Sequence, residues 1–125
     1  MSPDLRVTIA GVEFVNPIMT ASGCCGYGEE LAQVFPLSKL GALVTKSITA
    51  KPRMGHKPPR TAETESGMLN AIGLANVGID VFIVEKVPFL KKQKTKVIVN
   101  VAGSTIDEYV SICSRLNDCD GIDMV

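Results

Sequence analysis

A chain of 125 residues, 46% hydrophobic and 21% charged, is long enough for one globular domain, and nothing in its composition suggests disorder. Thirteen Lys and Arg balance thirteen Asp and Glu, so no global field directs the protein to nucleic acid or to an anionic membrane surface. Asp4 and Arg6 interrupt the amino terminus and no apolar run approaches the ~20 residues of a span, so the expectation is a cytoplasmic protein with neither signal peptide nor membrane segment.

Arg6-Val7-Thr8-Ile9 and Val12-Glu13-Phe14 alternate around Ala10-Gly11, which predicts a short hairpin. A first strand is expected at residues 17–20, then a helix from Glu29 to about Val34, with acids in its first turn and Pro36 past its end. A second strand falls at residues 42–45. The segment from Asn76 to Val87 fits two periods: Val77, Val81 and Val84 match a helix, while Ile79, Val81 and Ile83 match a strand. Parallel strands need a crossover, which selects the helix, with Asn76 as its cap and Pro88 as its stop. A third strand at residues 97–99 precedes a helix over residues 104–117, where Thr105 and Glu108 form a capping box and Ile106, Val110, Cys113 and Leu116 share one face. A fourth strand, Ile122 to Val125, follows. This order is about half of a strand-helix barrel of ~250 residues; a doubly wound four-stranded domain is the competing architecture.

The strands deliver small or polar residues at their carboxyl ends: Ala21-Ser22-Gly23, Lys46-Ser47 and Asn100. Strand ends of one polarity line up on one face of such a sheet, and that face carries the active site in barrels of this kind. Between the second strand and its helix lies an insertion, Ile48 to Asn76, too long for a plain connection. Its first half is Pro-rich and basic. Its second half is apolar with polar groups inside it, and its glycines free backbone amides for a planar ligand. The four cysteines lack metal-ligand spacing and His56 reads as a solvated loop residue, so no metal site is expected; Lys51, Arg53, Lys57 and Arg60 around it likewise read as solvated surface charges.

Ala21-Ser22-Gly23, Thr45-Lys46-Ser47, Pro59-Arg60 with Glu63-Thr64, the run from Gly67 to Leu74, and Asn100-Val101-Ala102-Gly103 together resemble class 1 dihydroorotate dehydrogenases, the NAD-linked 1B catalytic subunit above all. The resemblance spans essentially the whole chain. It implies an α/β fold: the amino-terminal half of a (β/α)8 TIM barrel, with an N-terminal β-hairpin, ending at barrel strand 4, so that residues 1–125 form a single partial FMN-binding domain. The implied activity is FMN-dependent oxidation of dihydroorotate to orotate in de novo pyrimidine (UMP) biosynthesis. Electrons would pass from FMN towards NAD through a partner subunit carrying FAD and an iron–sulfur cluster, and the full enzyme would be a homodimer.

Carried over by position, Ala21, Ser22, Gly23, Lys46, Ser47 and Asn100 resemble flavin contacts, while Lys46, Asn70, Ala71, Ile72, Gly73 and Leu74 resemble the orotate-binding set. Elementary chemistry agrees. Reduced flavin concentrates negative charge at one edge, where an ammonium such as Lys46 stabilises it and can also attract a carboxylate. Asn70 offers a donor and an acceptor to a pyrimidine edge, and Asn100 needs partners at the end of a buried strand. The family's cysteine base lies in the loop after strand four, beyond Val125, so no catalytic residue is assigned and the isolated chain is expected to be inactive. A dihydropyrimidine dehydrogenase-like domain and a non-catalytic, self-associating half-barrel are the alternatives.

Overall fold

Two residues with positive φ, Ala10 at 48° and Gly11 at 81°, turn the amino-terminal hairpin back on itself. The computed structural model describes residues 3–125. In it β1 (Val7–Ile9) pairs antiparallel with β2 (Val12–Phe14), Val7 opposite Phe14 and Ile9 opposite Val12, as the sequence predicts.

The central pair is parallel: β3 (Ala42–Val44) lies beside β6 (Lys96–Ile98), with Ala42 opposite Lys96 and Val44 opposite Ile98. Met19 bridges in parallel to Ala42 on one side, and Met124 bridges in parallel to Ile98 on the other. Spatial order therefore follows chain order. The strands expected at residues 17–20 and 122–125 shrink to these single bridges because side chains take over the main-chain ladder. Asn16 Oδ1 accepts from the backbone of Ile18 (2.9 Å) and Gly41 (3.1 Å), Thr20 Oγ1 accepts from Val44 N (2.9 Å), and Asp123 Oδ2 accepts from Val97 N (2.8 Å).

The crossovers also depart from expectation. In place of a helix from Glu29 to Val34 there is one tight turn, Leu31–Gln33, followed by a second at Leu37–Lys39, since so short a segment cannot hold a helix by propensity alone. The Asn76–Val87 segment is helical, but it does not stop at Pro88: α1 (Gly78–Val81) passes into a π-helical turn, Phe82–Lys86, then α2 (Val87–Leu90) and a last tight turn, Lys91–Gln93. Pro88 stands at the start of α2, just after the wider π turn, where its missing N–H and its ring are tolerated. Asn76 does not stand next to α1 as its N-cap, yet its Oδ1 accepts from Gly78 N at 2.8 Å.

The last helix, α3 (Ile106–Asn117), begins at the expected cap, with Thr105 Oγ1 accepting from Glu108 N at 3.2 Å. Glu108 reaches back to Ser104 N, one residue upstream of a reciprocal box. Its buried residues are Ile112 and Leu116; of the predicted face Leu116 is buried and Cys113 half-buried, while Ile106, 81% exposed, and Val110 stay outside, so only the carboxyl-terminal half of that face meets the core. That core gathers Leu43, Val97 and Val99 from the sheet with Ile79, Phe82, Leu90, Ile112 and Leu116 from the helices. Tyr27 closes it from the loop after Met19, its ring 5.6 Å from that of Phe82. Among the described residues no helix is long and apolar enough to cross a membrane.

The long insertion forms a second antiparallel hairpin, β4 (Thr61–Thr64) and β5 (Gly67–Asn70), exposed throughout. The chain then returns to the body through an antiparallel bridge between Arg53 and Asn76.

Candidate active site

Beyond Val44 the parallel ladder is interrupted and then resumes. Thr45 N still donates to Ile98 O (2.9 Å), and Ile48 N donates to Asn100 O (2.8 Å), but between them Lys46 N turns aside to Gly26 O (2.9 Å). Lys46 and Ser47 thus leave the sheet at its carboxyl edge, while Thr45 Oγ1 accepts from Asn100 N at 3.3 Å and fills the gap. The same edge joins three loops through side chains. Ser22 Oγ donates to Thr45 O (2.8 Å) and accepts from Asn100 Nδ2 (2.5 Å). The bond to Ser22 is the one hydrogen bond that the Asn100 side chain makes among the described residues.

The opposite wall is the segment after β5. Ala71 N donates to Arg60 O (2.8 Å), His56 N donates to Ile72 O (3.0 Å), and Asn76 Nδ2 donates to Leu74 O (2.9 Å), so the wall is pinned at Ala71, Ile72 and Leu74. Gly73 has φ +76°, and a Cβ there would lie 2.7 Å from His56 N, so only glycine lets the wall pack this closely. Leu74 follows in the left-handed region at φ +55°, a conformation that costs a non-glycine residue about 1–3 kcal/mol and is retained where surrounding bonds hold it.

Between the walls lies a cleft of about 680 Å³, within the range of small-molecule sites. Ser22, Gly23, Lys46, Ser47 and Asn100 line one side; Asn70, Ala71, Ile72, Gly73 and Leu74 line the other. The sequence-predicted flavin and substrate positions therefore meet, with one exception: Ala21 is exposed outside the cleft. Cys24, given no role by the sequence, is also on its wall. Another depression, of about 400 Å³, opens at the amino-terminal end of the strands, where Lys91 pairs with Asp120 (2.6 Å) and Lys96 with Asp123 (2.8 Å). Four of its charged side chains are spent on each other in these two pairs, whereas Lys46 in the carboxyl-end cleft has no ion-pair partner among the described residues.

Sequence reading missed the scaffold beneath the cleft. Arg60 is no solvated charge: its guanidinium donates to His56 O (2.6 Å) and Met54 O (3.0 Å), folding the basic loop against the wall. Lys86, on the π turn, bonds Glu29 at 2.9 Å and ties the helical crossover to the Ser22 loop. The Glu29 carboxylate holds this lysine above its usual range. Burial likewise pushes the Tyr27 phenol up.

Residues 4–125 match the family model for dihydroorotate dehydrogenase. The chain belongs to the dihydroorotate dehydrogenase family. It is 55% identical, over 94% of its length, to the "dihydroorotate dehydrogenase B (NAD(+)), catalytic subunit" of Pelobacter propionicus, and 53% identical, over 98%, to the protein of the same name from Petrotoga mobilis. The chain spans 39% and 40% of the length of these two curated relatives. A ligand-free DHODH from Eimeria tenella superposes on 92% of the chain with a TM-score of 0.71 at 22% identity, covering 35% of that structure; this likeness bears on the α/β fold alone.

Proposed function

We propose that the chain supplies the flavin edge and the substrate wall of a dihydroorotate dehydrogenase, which oxidises dihydroorotate to orotate and sends electrons towards NAD through a separate electron-transfer subunit. The observation that carries the proposal is the single cleft that faces Lys46, Ser22 and Asn100 towards Asn70 to Leu74. Support for the acceptor comes from the relatives' name, an NAD(+)-linked catalytic subunit. A cytoplasmic setting and a homodimer belong to the same proposal.

The donor set suits FMN: an ammonium, a hydroxyl and a primary amide stand at one edge of the cleft, with Gly23 open beside them and no atom within 4 Å of where its Cβ would stand. Ser22, Gly23, Lys46, Ser47 and Asn100 would hold the ring. When bound, FMN supplies a two-electron acceptor for the hydride. Lys46 stabilises negative charge at that edge and draws the substrate carboxylate to the same place. Asn70 reads the pyrimidine edge, and the pinned backbone of Ala71 to Leu74 excludes water from one side of it. No described residue is assigned as the proton acceptor, because the cleft thiol, Cys24, sits in the loop after Met19, a different loop from the one in which family members carry their base.

The parallel order Met19, β3, β6, Met124 supports the amino-terminal half of a barrel over a doubly wound sheet, because no strand reverses the direction of winding. Titrating orotate and dihydrouracil against the FMN-loaded protein, with flavin absorbance as the readout, tests the proposal. Orotate is expected to bind and dihydrouracil to leave the spectrum unchanged; the reverse result favours a dihydropyrimidine dehydrogenase.

A further inference from the structure

Asn76 is buried to 9% exposure beneath the cleft wall, and its amide is spent in full. Oδ1 accepts from Thr49 N (3.2 Å) and Gly78 N (2.8 Å); Nδ2 donates to Thr49 Oγ1 (2.9 Å) and Leu74 O (2.9 Å). Two donors and two acceptor sites are all that a carboxamide has, and the two backbone N–H groups on Oδ1 fix which way it faces. Thr49 Oγ1 can accept because its own proton goes to Lys51 O at 2.6 Å. One side chain therefore joins three elements: the exit of the second strand at Thr49, the start of α1 at Gly78, and the cleft wall at Leu74.

The bond to Leu74 differs in kind from the others. Leu74 is a non-glycine residue at φ +55°, directly after Gly73 at +76°, and this pair of left-handed residues sets which backbone groups the wall turns towards the cleft. We propose that Asn76 is a positioning residue for substrate recognition: by holding Leu74 O it fixes the backbone of residues 71–74 in the shape that receives a planar pyrimidine carboxylate. The proposal rests on the reading of the cleft as a dihydroorotate site.

Asn76→Asp separates this task from helix capping. An aspartate keeps oxygen acceptors for Thr49 N and Gly78 N, so the start of α1 remains capped, but it sets an anionic oxygen where Nδ2 faced Leu74 O. A purely structural cap would leave substrate recognition unmoved. In the FMN-loaded holoenzyme that carries this chain, N76D is expected to raise the orotate dissociation constant about tenfold by calorimetry. The kinetic loss falls mainly on the KM for dihydroorotate rather than on kcat. Amide exchange at Gly73 and Leu74 is expected to quicken while β3 and β6 stay protected.

Asn70→Ala is the companion. Binding weakened by Asn70→Ala but within twofold of wild type in N76D overturns the positioning proposal alone; binding that neither variant changes overturns the site reading with it. Should β3 and β6 lose protection in N76D, the test passes to Thr49→Val, which removes one acceptor from Nδ2 and is expected to weaken orotate about threefold; unchanged orotate affinity there overturns the proposal.

Discussion

Asn100 and Ser22 stand 78 residues apart in the chain, yet the amide of the first donates to the hydroxyl of the second at 2.5 Å. The bond spans the loops after the first and third parallel segments, and Thr45 O, between them, receives the Ser22 proton at 2.8 Å. Polarity common to parallel strands brings these ends to one edge; the side-chain bonds then fix their spacing. Ser22→Ala removes both bonds and leaves the Asn100 amide unheld at the rim. FMN affinity is expected to fall about tenfold, which is about 1.4 kcal/mol, in a fluorescence-quenching titration; affinity equal to wild type contradicts the role of the pair.

Lys46 leaves the ladder because its N–H bonds Gly26 O rather than the neighbouring strand. Its side chain lines the cleft, where the proposed function sets its ammonium against the ligand's negative charge. Lys46→Met keeps the length of the stem and removes that charge. Orotate affinity is expected to fall at least tenfold and to lose most of its dependence on ionic strength, measured by calorimetry at two salt concentrations.

Phe82 opens the π turn and is fully buried against Tyr27 and the sheet. Phe82→Ala leaves a cavity that so short a helical crossover cannot collapse. The expected loss is about 3–5 kcal/mol in urea unfolding, with the cleft residues unchanged in sequence and reduced in occupancy only through unfolding.

Two groups set an alkaline limit to stability. The Tyr27 phenol is held above its ordinary value of 10.0 by burial, and Lys86 above its ordinary 10.5 by its bond to Glu29. In both, the folded state favours the protonated form, so their contribution is complete below the unfolded values and is lost as pH rises through the raised folded ones. Urea midpoints are expected to hold steady up to about pH 10 and to fall above it. Tyr27→Phe is expected to shallow that fall.

Much of this arrangement is legible in the residues. The alternation around Ala10-Gly11 names the hairpin, Thr105 names the start of α3, and the polar ends of the apolar runs name the rim, because these signals are local or follow from strand polarity. What escapes is tertiary. Asn16, Thr20 and Asp123 replace ladder partners that lie far away in sequence, which shortens the outer strands to single bridges. Pro88 continues a helix because a π turn precedes it, and no period in the sequence announces that turn. Arg60 reads as a surface charge until the carbonyls of Met54 and His56 are seen to converge on it. Ala21 shares its neighbours' place in the motif, yet the chain turns it outward.

The most direct measurement is the visible difference spectrum of the FMN-loaded holoenzyme during an orotate titration, run in parallel on wild type and Asn70→Ala. A saturable perturbation in wild type, shifted to about tenfold higher orotate in Asn70→Ala, is the expected result, since Asn70 lines the same cleft as Lys46, Ser22 and Asn100, which the proposal assigns to the flavin. A spectrum indifferent to orotate, or a titration identical in the two proteins, would contradict the assignment of cofactor and substrate to that shared cleft.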